Sequence, residues 1–280
     1  MPAIDVLTSP TLKHLRASWW NDEFTEFLAE TLKPRPGKRI LDVGCGPGTG
    51  EFQIGRLHVS QLRLVGMDVV FDKVSLARRE LAAHNIRAAF AAGDALRLPF
   101  RSGVFDATYC VAVLQHVDDV DAAIREFARV TAPGGRVLVV EPDNANRYFH
   151  SSVAAGREAL DAGAAFFAAL TSRGDRTEAS SGLGPRLPGI LAQHGIEPVE
   201  LRLFPVVQAQ LGVPERDFWT DRRASVERAI AGALGAEVRA AGQRYRSALA
   251  AYEADASRAG ASFVEIQHAM LFATVGQRAA

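Results

Sequence analysis

The stretch Leu41-Asp42-Val43-Gly44-Cys45-Gly46-Pro47-Gly48-Thr49-Gly50 constrains what this chain can fold into more than any other. It begins as the end of a short apolar run, Arg39 to Val43, and continues past the glycines as a helical pattern to about His58. The reading is strand, tight turn, helix. Alternate glycines allow positive φ and leave no Cβ between the backbone and a ligand, and N–H groups at a helix start favour electron-rich groups. The dinucleotide fingerprint needs glycines at relative positions one, three and six. Counting from Gly44, Gly46 or Gly48, the sixth position is Thr49, Glu51 or Gln53, so that fingerprint fails. A phosphate-cradling loop fails as well, because no Gly-Lys-Ser/Thr follows.

The same rhythm continues. Strands are expected at 62–70, 88–92, 104–113 and 136–141, with helices at 75–84 and 120–130 between them and a turn at Ala132-Pro133-Gly134-Gly135. Strands alternating with helices imply βαβ units, hence a doubly wound α/β fold with a mostly parallel sheet. Composition agrees, since 48% hydrophobic and 23% charged residues exclude wholesale disorder. The 32 basic residues balance the 32 acidic ones, which disfavours a dedicated nucleic-acid binder or a membrane-surface protein. Two cysteines, Cys45 and Cys110, are too few for a disulfide scaffold or a four-ligand zinc site, so a reducing cytoplasm is expected. No leader pattern and no membrane-spanning apolar run is read.

Beyond Glu141 the pattern changes. Asp143 to His150 reads as loop, 152–171 as an Ala-rich helix, 187–194 as a helix, 199–207 as a strand, 226–252 as one long amphipathic helix and 263–275 as a final strand. The expected organisation is an N-terminal helical lid over 1–36 and one α/β domain over 37–280, with helical insertions at about 151–181 and 213–260.

Asp68 stands at the end of the second strand, 24 positions after Gly44, where an acidic side chain can accept both hydrogens of a ribose diol or cap a helix. Asp94, in Gly93-Asp94-Ala95, follows the third strand, where its carboxylate can face an adenine amino group and the Ala95 N–H a ring nitrogen. With Phe105 to Val117 and Arg129-Val130-Thr131-Ala132-Pro133-Gly134-Gly135, five blocks stand in one order. In that order the chain resembles a class I S-adenosylmethionine-dependent methyltransferase of the type 11-like, small-molecule group. The likeness runs from about Lys38 to Glu141 and more loosely through the last two strands. It implies a Rossmann-like seven-stranded sheet whose last strand is antiparallel beside the fifth. It further implies S-adenosyl-L-methionine as cofactor and S-adenosyl-L-homocysteine as product. By this resemblance Gly44, Cys45, Gly46 and Gly48 hold the methionine portion, Asp68 the ribose and Asp94 with Ala95 the adenine. Val69 packs on the nucleoside, the backbone at Cys110 and Val111 receives the amino group, and Asp42 orients the glycine loop or receives the amino group through water.

Methyl transfer is an in-line displacement, so positioning of the nucleophile in a dry site matters most and a base is optional. His116, directly after the fourth strand, is the candidate proton acceptor; its plainer role is to close the strand by backbone hydrogen bonding. Gln115, Glu141, Asn144 and Arg147 lie where open α/β sheets bind ligands and are candidate substrate contacts, against a reading as turn-formers. Trp20 is a candidate cap on the pocket, against core packing. Asp143-Asn144 resembles the pair that helps hold magnesium in catechol-type O-methyltransferases, but Cys110 and Val111 stand where that family has a further Asp, so no metal is expected. The expected acceptor is an O, N or C atom of a small metabolite, with RNA or protein methylation and a non-catalytic cofactor-binding module as alternatives. A homodimer is left open.

Overall fold

A computed structural model describes residues 19–171 and 182–280. Its first half contains α1 (Asp22–Leu32), β1 (Arg39–Val43), α2 (Thr49–Gly55), β2 (Arg63–Asp68), α3 (Phe71–Ala83), β3 (Ala88–Ala92), β4 (Phe105–Val111), α4 (Val120–Val130) and β5 (Thr131–Pro142). There follow β6 (Tyr148–Ser151), α5 (Ala154–Thr171), α6 (Leu187–Gln193), β7 (Ile196–Leu211), α7 (Arg216–Ala231), α8 (Ala236–Ala259) and β8 (Val264–Arg278). The chain divides into two compact units. The larger takes Asn21–Asn146, 182–205 and Met270–Ala280; the smaller takes Trp19, Trp20, 147–171 and Val206–Ala269.

In the larger unit the strand order is β3-β2-β1-β4-β5-β8, parallel up to β5. β8 is antiparallel to β5, with Leu138 opposite Val275, as the resemblance implied. β1 pairs β2 on one edge and β4 on the other, so the connections leaving β1 and β4 diverge. That divergence is the topological switch point at which open α/β sheets bind ligands. Burial on both faces explains the apolar strands. Leu41, Val43, Cys110, Val137 and Val139 pack with Ile124 and Phe127 of α4 and Leu187 and Leu191 of α6. Val74, Ala77 and Leu81 of α3 pack with Cys45 and Phe90. Phe24 and Phe27 of α1 meet Phe204 with ring centroids 5.3 and 5.1 Å apart.

The smaller unit has its own core, in which Phe166, Trp219, Val226, Leu249, Tyr252 and Phe263 are buried together. Its central polar feature is Glu265, whose carboxylate accepts from Arg222 Nη1 (2.9 Å) and Nη2 (2.5 Å), the Tyr252 hydroxyl (2.5 Å) and Gln267 Nε2 (2.7 Å). Burial works to raise this carboxyl, but the Arg222 guanidinium and the other donors hold it below the usual carboxylate range. The Arg222 guanidinium lies 3.8 Å from the Phe218 ring centroid, a close cation–π contact.

The structure departs from the sequence reading in four places. Among the described residues the strands number eight where seven were expected, because Tyr148–Ser151 within the expected loop pairs antiparallel with Glu265–His268 as β6. β5 starts at Thr131, and the expected turn at 132–135 is a bulge between the pairs Phe105↔Thr131 and Ala107↔Arg136. The long helix is two, separated around Gly235, whose φ of +96° an L side chain rarely adopts. β7 is longer than expected and runs to Leu211. The first part of the expected N-terminal helix and residues 172–181 lie outside the described residues.

Candidate functional site

The glycine turn is held by β2. Gly44 and Cys45 donate their backbone N–H groups to the Met67 carbonyl at 2.6 and 2.9 Å, and Gly46 donates to Asp68 Oδ2 at 2.9 Å. Asp68 Oδ1 accepts from the Val70 N–H at 2.8 Å, so this buried carboxylate fixes both the turn after β1 and the start of α3. Gly44, Gly46 and Gly48 have φ of +75°, +55° and +86°. A β-carbon at Gly44 would fall 2.3 Å from Val113 Cγ2 and one at Gly48 2.8 Å from Leu81 Cδ1, whereas one at Gly46 would meet nothing within 4 Å. Gly44 and Gly48 therefore face protein, and Gly46 faces open space at the carboxyl end of the sheet. Beside Asp68, Val69 and Phe71 are 73% and 64% exposed, unusual for such side chains next to a buried carboxylate. Asp94 lies exposed after β3, its carboxylate accepting from the Leu96 N–H at 2.9 Å.

Beneath the turn Asp42, Glu51 and Tyr109 are buried together. A β-carbon on Gly50 would lie 2.3 Å from the Tyr109 hydroxyl and 2.8 Å from Asp42 Oδ2, and one on Gly66 2.2 Å from Glu51 Oε1, so both glycines make room for these groups. Burial raises the Asp42 carboxyl from 3.8 to about 7, with the Asp68 charge adding and the neighbouring Tyr109 and Glu51 opposing. Burial and then the charge of Asp42 push Glu51 well above the carboxylate range. Both Glu51 oxygens and the Tyr109 hydroxyl stand beside Asp42 without completing hydrogen-bond geometry. Burial likewise raises the thiols of Cys45 and Cys110, so neither is a thiolate nucleophile near neutral pH.

On the other side of the switch point, Ala112 takes φ +56° and donates its N–H to the Val140 carbonyl at 2.7 Å. The chain then makes a single 3₁₀ turn at Leu114–His116. Glu141, fully buried at the end of β5, accepts from the N–H groups of Val113 (2.7 Å), Leu114 (2.6 Å) and Gln115 (3.4 Å). Asn144 Nδ2 donates to Gln115 Oε1 at 2.7 Å. His116 is half-buried on this turn, its backbone N–H on the Val113 carbonyl at 2.9 Å. Asp143 stabilises its own loop, accepting from the Ala145 N–H and from Asn146 Nδ2 at 3.1 and 2.9 Å.

The segment that follows Asp94 is tied to α4. Arg129 donates to the carbonyls of Phe100 (2.7 Å) and Leu98 (2.9 Å) while pairing with Glu126, which accepts from the Leu98 N–H at 2.7 Å. Hydrogen bonding to Arg129 holds the Glu126 carboxyl below its ordinary value.

Of the residues singled out in the sequence, Asp42, Gly44, Cys45, Gly46, Gly48, Asp68, Val69, Asp94, Ala95, Cys110, Val111, Gln115, His116, Glu141 and Asn144 all belong to the larger unit, on or beside the ends of β1 to β5. Trp20 and Arg147 belong to the smaller unit. Glu51, Tyr109 and Val113 escaped the sequence reading. Glu51 follows the glycine turn with nothing in the sequence to single it out, and only the missing side chain of Gly66 on the neighbouring strand hints that it turns inward. Among the described residues no three His, Cys, Asp or Glu side chains cluster as metal ligands would.

Residues 41–139 match the family model described as a methyltransferase domain. An O-methyltransferase from Aspergillus nomiae is 30% identical over 151 residues, covering 49% of this chain and 66% of the relative. A demethylmenaquinone methyltransferase from Deinococcus radiodurans is 38% identical over 114 residues, 40% of this chain and 46% of the relative. The chain thus spans between about half and two thirds of the length of these curated relatives. Among solved structures, the 4+2 cyclase SpnF superposes with a TM-score of 0.56 at 21% identity, over 99% of this chain and 94% of that one, which is a likeness of fold. The glycine turn, the two strand-end carboxylates and the turn after β4 all lie within or directly beside the matched stretch, and that stretch belongs to the methyltransferase domain family.

Proposed function

We propose that the protein transfers a methyl group from S-adenosyl-L-methionine to an O, N or C nucleophile of a small molecule. The observation that carries the reading is the open face of Gly46 beside the buried Asp68 carboxylate, at the switch point of a matched methyltransferase domain. The residues fit the cofactor. A turn with no Cβ at Gly46 admits a polar chain, Asp68 retains lone pairs for a diol, and exposed Val69 and Phe71 offer an apolar surface to a nucleoside. Asp94 and Ala95 face its base, and the backbone at Cys110 and Val111 its amino group. When bound, this cofactor supplies an electrophilic methyl on a sulfonium. The chain's own residues hold the acceptor in line and exclude water, which is where most of the acceleration in such a displacement arises.

On the acceptor side, Gln115 of the turn after β4 and Asn144 of the loop after β5 present a polar pair, and His116, on the same turn as Gln115, takes the proton from a hydroxyl or ammonium acceptor. The zero net charge supports a small, largely apolar acceptor over RNA, and no helix among the described residues is long and apolar enough to cross a membrane. A cytoplasmic location and a homodimer belong to the same reading. The relative named as an O-methyltransferase supports an oxygen acceptor among these. Calorimetric titration with S-adenosylhomocysteine, with NAD as control, tests the cofactor. Micromolar binding of the former alone is expected, and preference for NAD refutes the reading. Release of S-adenosylhomocysteine on incubation with panels of phenols, amines and activated methylenes then separates an enzyme from a module that only binds cofactor.

A further inference from the structure

Glu141 is the group whose placement the transfer chemistry does not itself explain. It follows the apolar run Val137–Val140 near the end of β5, is fully buried, and spends its carboxylate on consecutive backbone N–H groups of another segment at 2.7, 2.6 and 3.4 Å. A buried carboxylate satisfied in this way fixes the conformation of the backbone that donates to it, because withdrawing it strands those donors. The segment it fixes carries two features of the candidate site. The Val113 side chain packs directly on Gly44, so closely that a β-carbon there would fall 2.3 Å from Val113 Cγ2. Gln115, two residues on, receives Asn144 Nδ2 at 2.7 Å. Just ahead of them Ala112 is held at φ +56°, a conformation that non-glycine backbone keeps only when its surroundings impose it.

We infer that Glu141 is a positioning residue that sets the cofactor and acceptor sides of the site against each other, through Val113 onto the glycine turn and through Gln115 onto Asn144, and is not itself a substrate contact. This rests on the methyltransferase reading only for the identity of the ligand used as probe. The carboxylate acts through the backbone, so a residue that keeps an acceptor at Oε1 preserves the arrangement and an apolar residue of similar size does not.

The test is calorimetric titration of the full chain with S-adenosylhomocysteine, together with amide hydrogen exchange at Val113, Leu114 and Gln115. Glu141→Gln keeps the acceptor used by Val113 and Leu114 and is expected to bind within about threefold of the parent, whereas Glu141→Leu is expected to bind at least about tenfold more weakly and to lose protection at the three amides. Val130→Ala, a cavity in α4 away from the site, controls for loss of stability and is expected to leave affinity unchanged. A folded Glu141→Leu that binds as the parent does overturns the inference. Should that variant fail to fold, Val113→Ala decides: weakened binding supports the relay onto Gly44, and parental affinity overturns it. If the parent itself does not bind S-adenosylhomocysteine, the cofactor reading fails separately. Glu141 is then judged on exchange alone, where unchanged protection in the Leu variant refutes the tie.

Discussion

The buried acid cluster beneath the glycine turn makes stability depend on pH in a direction opposite to that of an ordinary salt-bridged carboxylate. Asp42 is raised from 3.8 to about 7, chiefly by burial. At ~1.4 kcal/mol for each tenfold change in proton affinity, that rise penalises the ionised form by about 4 kcal/mol. The folded state therefore holds a proton that the unfolded chain releases near pH 4. The contribution to stability is full below that pH, falls as pH rises, and is lost once pH passes the folded value near 7. Integrated between pH 5 and 8, the loss is about 2 to 3 kcal/mol. With an unfolding entropy of ~2.1 cal/mol/K per residue, 280 residues give ~0.6 kcal/mol/K, so the loss appears as about 4 °C in Tm. Asp42→Asn keeps the shape, cannot ionise, and can donate toward Glu51. Thermal melts of both proteins from pH 5 to 8 are expected to show the variant gaining about 4 °C on the parent across that range. Parallel curves would refute the reasoning, because they would mean that Asp42 ionises in the folded protein without penalty.

Three further expectations follow from the geometry. Asp68→Ala removes the acceptor for the Gly46 and Val70 N–H groups and for the proposed diol, and should weaken S-adenosylhomocysteine about tenfold or more in a titration, while Asp72→Ala in α3 should not. Gly44→Ala should lower Tm more than Gly46→Ala, since both are strained at positive φ but only the first also collides with Val113; equal losses would show that backbone strain alone decides. Arg129→Ala should cost about 2 kcal/mol in a denaturant melt and speed amide exchange of Leu98, because it frees two carbonyls and the Glu126 that receives that amide. Unchanged exchange at Leu98 would mean that Glu126 holds the segment alone.

How legible these features were depends on how local their causes are. The glycine turn and α4 could be read directly, the first because its residues are punctuation in themselves, the second because Asp119 caps it on the Ala122 N–H at 2.8 Å and Ile124 and Phe127 keep helical spacing. β6 could not, because what makes Tyr148–Ser151 a strand is Glu265–His268, more than a hundred residues later. The break between α7 and α8 was hidden for a different reason. Val226 and Ile230 before it and Val238 and Ala241 after it continue one apolar spacing, so periodicity carried the reading across glycines that actually end a helix. In β5 the Pro-Gly-Gly run reads as a turn before a strand, yet Thr131 already pairs with Phe105, and the run is absorbed as a bulge.

The two carboxylates that organise the candidate site share a rule that chain order conceals and sheet order reveals. Asp68 ends β2 and accepts from the turn that follows β1, its neighbour in the sheet. Glu141 ends β5 and accepts from the turn that follows β4, again its neighbour. β1 and β4 are the strands that part at the switch point, so each of the two turns lining the crevice is pinned from outside by the acid on the next strand. Backbone N–H groups in a turn that must stay open to a ligand cannot satisfy one another without closing it, and a carboxylate on the flanking strand satisfies them from behind. Asp68 could be singled out in the sequence because its place resembles a ribose contact, whereas Glu141 followed an apolar run and read as a substrate contact. Both positions become visible once the acids at strand ends are matched to the turn beside them in the sheet.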